Sequence, residues 1–433
     1  MNSARSRSTG MGKGRYFFVL TLCALFLVLR AAGQPVGFDH DEDSHFRTVL
    51  DIRRLGGLPP KELFPAIVFA PGMNDLAYHY LPPSPYLFIA GITALAGAEP
   101  DESGIVGWAR ASGVLAAIAS LALAGLATRR MAGADRGWET AAFVTAGLAL
   151  MPEFHSMAAS FTSDNFGTLA IVALLAACVW AHEAGWSVRS TAGVAAAAAF
   201  LFAMRTTAYP SLLLVPASLA ASPGPPLGRL MRFAAIGLAL LGVNAWWLAR
   251  NYAISGDAIG ATAHAQHLFA SGFTALTAEY RIWREAASGP VPELSLLVRS
   301  VWPLVQQTRM LLTARTWISP PALAAWGFFI VIPSVLLAGS WILRRARRDP
   351  WSASMMVAAS VASALAFLFS LQISAGYGAF AVGKYMFMNT IPLVIVVCAA
   401  LGAEDRPLWR RFRWVGLAFA AGLTLAYLTA ILP

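Results

Sequence analysis

Four carboxylates crowd into a short stretch near the start of the chain, where together they could form an acid–base centre. Asp39, Asp41, Glu42 and Asp43 follow the first long apolar run, in a sequence with only 12% charged residues. A carboxylate within hydrogen-bond reach of a hydroxyl can remove its proton as the hydroxyl attacks a substrate. A helix dipole also favours acids in its first turn. Two interpretations therefore stay open: an active site at the membrane face and a solvated helix start.

Histidines in and after this stretch add residue types that bind metal ions. His40 and His45 lie among the acids, and His79 follows later in the same loop. Hard divalent ions prefer several carboxylate oxygens, so Mg²⁺ or Mn²⁺ is a candidate cofactor. The residues do not show the regular spacing of a known metal site, and zinc is disfavoured. Metal dependence stays open, and no metal ligand is assigned.

A second acid and an arginine lie where apolar runs begin and end. Asp164 starts an apolar run, where a carboxylate costs on the order of a few kcal/mol unless it is solvated or paired. It could also serve only as a helix cap, together with Thr162 and Ser163. Arg205 lies between two apolar runs, so we expect an anionic partner, unless the side chain extends to water at a helix end.

Three later residues could recognise a charged substrate. Arg250 follows Trp246 and Trp247, and such aromatic and cationic neighbours more often anchor a helix at the membrane interface. Lys384 and Tyr385 open a late apolar run and have the same two interpretations. These residues are candidates for substrate binding.

The elements that position all these residues are membrane-spanning helices. The chain is 58% hydrophobic, and its charged fraction is about half that of a soluble protein. Apolar runs recur from end to end, which predicts an all-α polytopic transmembrane bundle. The net charge of +10 lies mostly on arginines in short loops, so no nucleic-acid partner is implied. The three cysteines lie within apolar runs and indicate no disulfide framework.

The positions of the cationic loops predict the topology. A cationic N-terminus belongs in the cytoplasm, which puts the acidic stretch outside. Residues 84–98 are too few to cross a membrane and follow several prolines, so we interpret them as a re-entrant or interfacial helix on the outer side. About eleven spans then place every cationic loop inside. The expected spans are 16–32, 104–127, 138–152, 165–182, 190–204, 206–221, 233–249, 319–343, 351–371, 385–402 and 414–432, and the outer loops include 33–103, 153–164 and 250–318.

This topology predicts a single transmembrane domain, 1–433, with two large outer loops. It places Asp164 on the same face as the acidic stretch. In the first loop, an amphipathic helix should have Asp43 or Ser44 as its N-cap, lie in the interface and stop at Gly56 and Gly57. The long second loop is a candidate cover or acceptor-selecting element.

Several motifs follow one another along most of the chain. They are Asp41–Glu42 with His45, the helix ending GGLPP, HYLPPSPYLFIAG at 79–91, Pro152 followed by Asp164, WLARNYAISGDAIG at 247–260 and GKYMFMNTIP at 383–392. In this order they resemble the motifs of GT-C glycosyltransferases, the class that includes protein O-mannosyltransferases, lipid A aminoarabinose transferases and oligosaccharyltransferase catalytic subunits. The resemblance departs at Gly383–Lys384–Tyr385, where the family has Gly-Arg-Tyr and where lysine loses bidentate geometry. The family's long soluble C-terminal domain also has no counterpart in these residues.

The resemblance implies transfer of a sugar from a polyprenyl-phosphate donor to a glycan, lipid or protein acceptor. The enzyme would be a multi-pass protein of a bacterial inner membrane, with its active site on the extracytoplasmic face. Asp41 matches the acid that acts as general base or orients the acceptor, Glu42 is its neighbour, and Asp164 matches the second acidic position. The resemblance therefore makes these three acids the expected catalytic residues. The residues expected to bind substrate are His45, His79, Tyr80, Arg205, Arg250, Lys384 and Tyr385.

Two other functional classes compete with this interpretation. A transporter or lipid-linked glycan flippase should show internal repeats and mid-membrane ionisable residues, and the sequence has no repeat and few such residues. An enzyme like the O-antigen ligases or polymerases would use the same kind of lipid-linked substrate. It should depend on outer-loop arginines and histidines rather than on a first-loop Asp–Glu pair.

Overall fold

The computed structural model describes residues 2–34, 42–63, 79, 81–133, 136–259, 348–377 and 382–403, with scattered positions between 414 and 425. Within these ranges all regular structure is helical, in agreement with the predicted all-α class. Asp41, Tyr80, the predicted span 319–343 and most of the predicted loop 250–318 lie outside the described residues.

The described ranges contain twelve α-helices and one 3-10 helix. They are α1 (Asn2–Ala32), α2 (Glu42–Leu55), α3 (Ser84–Leu95), α4 (Glu102–Ala132), α5 (Gly137–Ala149), α6 (Pro152–Ala159), α7 (Ser163–Glu183), α8 (Val188–Met204), the 3-10 helix Thr206–Leu213, α9 (Leu214–Ala220), α10 (Pro226–Ser255), α11 (Pro350–Tyr377) and α12 (Val382–Ala403).

Four of these helices are long and apolar enough to cross a membrane, within α1, α4, α7 and α10. Shorter apolar helices lie within α3, α8, α11 and α12. The chain is therefore an integral membrane protein, while the total of about eleven spans stays a prediction.

Helices α4 and α7 form the centre of the bundle. They pack against each other, α4 also packs against α1, α5 and α12, and α7 packs against α8 and α12. Small residues permit these close approaches. At Gly125 of α4, a Cβ atom would lie 2.5 Å from the ring of Tyr16 on α1, so only glycine fits there.

Helices α2 and α3 cover one end of this bundle, where α4 and α7 begin. The apolar face of α2 buries Phe46, Val49 and Ile52. It ends at Gly56, which has φ +72°, a left-handed conformation that glycine adopts readily. The helix begins at Glu42, so the predicted N-caps, Asp43 and Ser44, lie inside the helix, and the stop is as predicted. Helix α3 has 12 residues, about 18 Å of helix, which is shorter than a span.

Three segments differ from the sequence-based expectation. Residues 206–221 were expected to form one span, but the structure has the 3-10 helix followed by α9, with Pro210 inside the 3-10 helix. Proline has no N–H to donate within an α-helix, which explains the interruption. The expected outer loop 153–164 contains most of helix α6. Helix α10 continues to Ser255, so the loop predicted from residue 250 begins later.

Candidate functional site

A buried ion pair joins the start of α2 to α4, one of the two central helices. Arg110 of α4 donates from Nε to Glu42 Oε1 at 2.8 Å and from Nη2 to Oε2 at 2.7 Å. The Glu42 side chain is 0% exposed and that of Arg110 11% exposed. Two parallel charge-assisted bonds fix the carboxylate in position as well as in charge.

Glu42 also contacts the segment that leads into α7. Its Oε1 atom accepts a hydrogen bond of 2.9 Å from the Phe161 backbone N–H. Arg110 donates in addition to the Gln34 carbonyl at 2.6 Å, at the end of the segment after α1. The first acidic stretch and the chain just before Asp164 are thus brought together.

Asp164 pairs with Arg205 inside the protein. Arg205 Nε lies 2.9 Å from Asp164 Oδ1, and the two side chains are 4% and 0% exposed. Arg205 also donates to the Ser163 hydroxyl at 2.6 Å and to the Thr207 hydroxyl at 3.3 Å. The anionic partner expected for Arg205 is therefore found, and the guanidinium does not extend to water.

Capping does not explain Asp164. The residue at the N-cap of α7 is Thr162, and its side chain makes no capping hydrogen bond. Asp164 lies in the first turn, where its negative charge suits the helix dipole and also neutralises Arg205. Arg205 has extended backbone dihedrals between α8 and the 3-10 helix, so this interruption in the helices positions its side chain.

The late motif packs next to this interruption. Asn389 of α12 donates to the Thr207 carbonyl at 2.9 Å and accepts from the Ser211 hydroxyl at 2.7 Å. Lys384 and Tyr385 lie in the first turn of the same helix, and their side chains lie outside the described part of the structure. Their substrate contacts stay predictions, on a helix that Asn389 fixes near Arg205.

His45 lies on the buried side of α2. Its Nδ1 atom is 2.8 Å from the Tyr86 hydroxyl of α3, and the two rings stack with centroids 5.6 Å apart. Its ring also meets the edge of Phe161. His45 therefore links α2 to α3 beside the Glu42 anchor, and its substrate contact stays a prediction.

A second cluster of polar residues joins α2 to His79 and to the end of α10. His79 Nε2 lies 3.1 Å from Asp51 Oδ2, and Arg47 Nε lies 3.3 Å from Asp51 Oδ1. Arg250 donates to the carbonyls of Pro59 and His79 at 2.9 and 3.3 Å. Burial lowers the pKa of His79 below its ordinary 6.5, although the hydrogen bond to Asp51 opposes this shift. His79 and Arg250, both predicted substrate-binding residues, thus lie in one connected group.

No set of three or more histidine, cysteine, aspartate or glutamate side chains could hold a metal ion within the described residues. Asp39, His40 and Asp41 lie outside those residues. Two of the described carboxylates of this region are instead paired with cations, Glu42 with Arg110 and Asp51 with Arg47. The dependence on Mg²⁺ or Mn²⁺ stays a prediction.

The sequence-based prediction missed Arg110 and Asn389. A signal for Arg110 was present, because one arginine inside the apolar run 104–127 should have a buried anionic partner. Asn389 belongs to the motif GKYMFMNTIP, but a lone amide in an apolar run does not reveal which backbone groups it will meet. Its partners depend on the interruption at Pro210, which was also missed.

Solved structures of other proteins share this architecture. No protein-family model and no curated protein matches the sequence. The structure resembles ArnT from Cupriavidus metallidurans bound to undecaprenyl phosphate, with a TM-score of 0.52 and 16% identity over 96% of this chain and 66% of that one. It resembles the apo oligosaccharyltransferase of Archaeoglobus fulgidus with a TM-score of 0.51 and 13% identity over 96% of this chain and 55% of that one.

Both neighbours belong to the GT-C type, and the chain has a GT-C-like fold. The fold predicted from the motifs is therefore confirmed. This chain spans just under two thirds of ArnT and just over half of the oligosaccharyltransferase.

Proposed function

We propose that this protein is a membrane glycosyltransferase that moves a sugar from a polyprenyl-phosphate donor to an acceptor on the extracytoplasmic face. The fold supports this proposal, because both neighbours are glycosyltransferases and ArnT was crystallised with undecaprenyl phosphate. The acceptor is a glycan, lipid or protein bearing a nucleophilic group. The host membrane is the inner membrane of a bacterium.

The observation that carries the proposal is the double anchoring of Glu42 by Arg110 and by the Phe161 backbone. It ties the acidic stretch to the segment before Asp164, which supports a single site built from both acids. Because both oxygens of Glu42 accept hydrogen bonds from the protein, Glu42 acts as a positioning residue. Asp41, which precedes it in the sequence, acts as the general base.

In the reaction, Asp41 removes a proton from the acceptor as the acceptor attacks the anomeric carbon of the sugar. The bond from that carbon to the phosphate oxygen breaks, and polyprenyl phosphate leaves with the electron pair. General base catalysis of this kind contributes about 10² to 10⁴ in rate. Arg205, held by Asp164, and Lys384 supply positive charge toward the departing phosphate. The rest of the proposed substrate-binding set is His45, His79, Tyr80, Arg250 and Tyr385, and Mg²⁺ or Mn²⁺ is the candidate cofactor.

The purified protein in proteoliposomes tests this function. Radiolabelled sugar on undecaprenyl phosphate should be lost from the lipid and appear in the acceptor fraction when a membrane extract is supplied. A flippase would instead move the intact lipid-linked sugar between leaflets without cleaving it. Labelled sugar that changes leaflet but stays on its lipid would contradict the transferase proposal. Addition of EDTA in a parallel reaction tests the metal.

A further inference from the structure

His79 and Asp51 form a carboxylate–imidazole dyad away from the Glu42 anchor. The hydrogen bond of 3.1 Å between His79 Nε2 and Asp51 Oδ2 is buried, and His79 is 1% exposed. The other carboxylate oxygen of Asp51 forms an ion pair with Arg47. The Asp51 carboxylate thus has a cation on one side and the imidazole of His79 on the other.

This arrangement fixes the protonation of the imidazole ring. A carboxylate paired with an arginine can only accept hydrogen bonds, so Nε2 of His79 must carry the proton that is donated to Asp51. In the neutral ring, Nδ1 then holds a lone pair and is a hydrogen-bond acceptor. Burial favours the neutral ring.

The Nδ1 atom is buried, and in the part of the chain that the structure describes it has no hydrogen-bond partner. Leaving such an atom unpaired costs its full desolvation, and most buried polar atoms are paired. The backbone around it is held firmly, because Arg250 binds the carbonyl of His79 itself and that of Pro59. A buried acceptor on a fixed backbone is suited to receiving a ligand.

We propose that Nδ1 of His79 accepts a hydrogen bond from a hydroxyl group of the substrate, with Asp51 as the residue that sets the imidazole tautomer. The inference rests on the proposed glycosyltransferase function. The hydroxyl belongs either to the transferred sugar or to the acceptor. A site that requires such a hydroxyl discriminates against substrates lacking it, because the lone pair would then stay buried and unpaired.

The tautomer can be tested without substrate. The full-length protein, labelled with ¹⁵N-histidine in lipid bilayers, should give one protonated and one unprotonated ring nitrogen for His79, assigned by its loss in His79→Gln. In Asp51→Asn, Arg47 will face the amide oxygen, so the amide nitrogen will face Nε2. The proton should therefore move to Nδ1. An unchanged spectrum in Asp51→Asn, or a wild-type proton on Nδ1, would overturn the role of Asp51.

Two substitutions test the ligand contact. His79→Gln keeps a donor toward Asp51 but removes the acceptor at the Nδ1 position, whereas His79→Asn keeps an oxygen near that position. The probes are undecaprenyl phosphate alone and the same lipid carrying glucose or mannose. His79→Gln should weaken binding of the sugar-linked lipid about five- to tenfold, if the hydroxyl is on the sugar. His79→Asn should retain most binding, and the sugar-free lipid should bind all three proteins equally.

If the hydroxyl is on the acceptor, His79→Gln leaves lipid binding unchanged and raises the KM for the acceptor extract about five- to tenfold. If neither quantity changes, the proposal is overturned, and the partner of Nδ1 is a structural water. Failure of the glycosyltransferase proposal has a different signature, because the wild type would then transfer no sugar while the tautomer measurement still reports on Asp51.

Discussion

The carboxylate of Glu42 accepts a hydrogen bond of 2.9 Å from the Phe161 backbone N–H, which lies 119 residues further along the chain. The same carboxylate holds Arg110 through two shorter bonds. The start of the first-loop helix is therefore fixed against α4 and against the segment that leads into α7. This contact brings together two acidic segments that are far apart in sequence.

Removing the Glu42 charge should destabilise the protein strongly. Glu42→Gln leaves the buried guanidinium of Arg110 without its opposite charge, a change that costs about 3 to 5 kcal/mol in a buried pair. Thermal unfolding in detergent measures the loss. Glu183→Gln is the matched control, because it breaks the Arg130–Glu183 pair, whose side chains are 44% and 41% exposed. The control should change the free energy of unfolding by no more than about 1 kcal/mol, and equal effects would show that Glu42 is not an anchor.

Variants of the Asp164–Arg205 pair distinguish a structural role of the pair from a functional one. Asp164→Asn alone should destabilise the fold by about 3 kcal/mol or more, because Arg205 keeps its charge without a partner. The double variant Asp164→Asn with Arg205→Gln contains no isolated charge and should recover most of that stability. Sugar transfer should stay at least about a hundredfold below wild type, as for the loss of charge aimed at a leaving group. A double variant that transfers sugar normally would assign the pair to folding alone.

The position of α12 should depend on Asn389. Asn389→Leu leaves the Thr207 carbonyl and the Ser211 hydroxyl without the hydrogen bonds of 2.9 and 2.7 Å that they make to the amide. The expected cost is about 2 to 3 kcal/mol of stability. Ser360→Ala is the control on α11, because among the described residues its hydroxyl bonds only to the Met356 carbonyl of its own helix. It should change stability by about 0.5 kcal/mol or less, and a similarly small effect of Asn389→Leu would contradict the assignment.

Stability should fall as the pH drops below about 6.5, in part because of His79. Burial lowers the pKa of the folded-state imidazole beneath its ordinary 6.5. The unfolded chain therefore takes up the proton first, so the stabilisation from neutral His79 is complete above pH 6.5 and is lost progressively below it. Melting temperatures from pH 7.5 to 5 should fall less steeply for His79→Gln than for the wild type. Parallel curves would show that His79 is not the titrating group.

Sequence patterns predicted the features that depend on local chemistry. The amphipathic α2, its stop at Gly56 and the short α3 follow from apolar spacing, glycine conformation and segment length. The need for an anion at Arg205 follows from the cost of burying a cation. Its identity does not, because only the three-dimensional packing of α7 against the 3-10 helix brings Asp164 there.

Features that depend on long-range packing were missed. The predicted span 104–127 includes Arg110 without a partner, although a charge in an apolar run indicates a buried partner, which is Glu42. The 3-10 helix was missed because its apolar composition resembles that of a continuous span. Its Pro210 was the local signal for an interruption.

The most direct test of the central claim is sugar transfer by Asp41→Asn in proteoliposomes, with undecaprenyl phosphate carrying radiolabelled sugar as donor. Asp43→Asn is the matched control, since it removes the same charge from an exposed side chain in the first turn of α2. The account predicts that Asp41→Asn loses transfer by about 10² or more while its melting temperature is unchanged, and that Asp43→Asn transfers sugar at close to the wild-type rate. Normal transfer by a folded Asp41→Asn would contradict it.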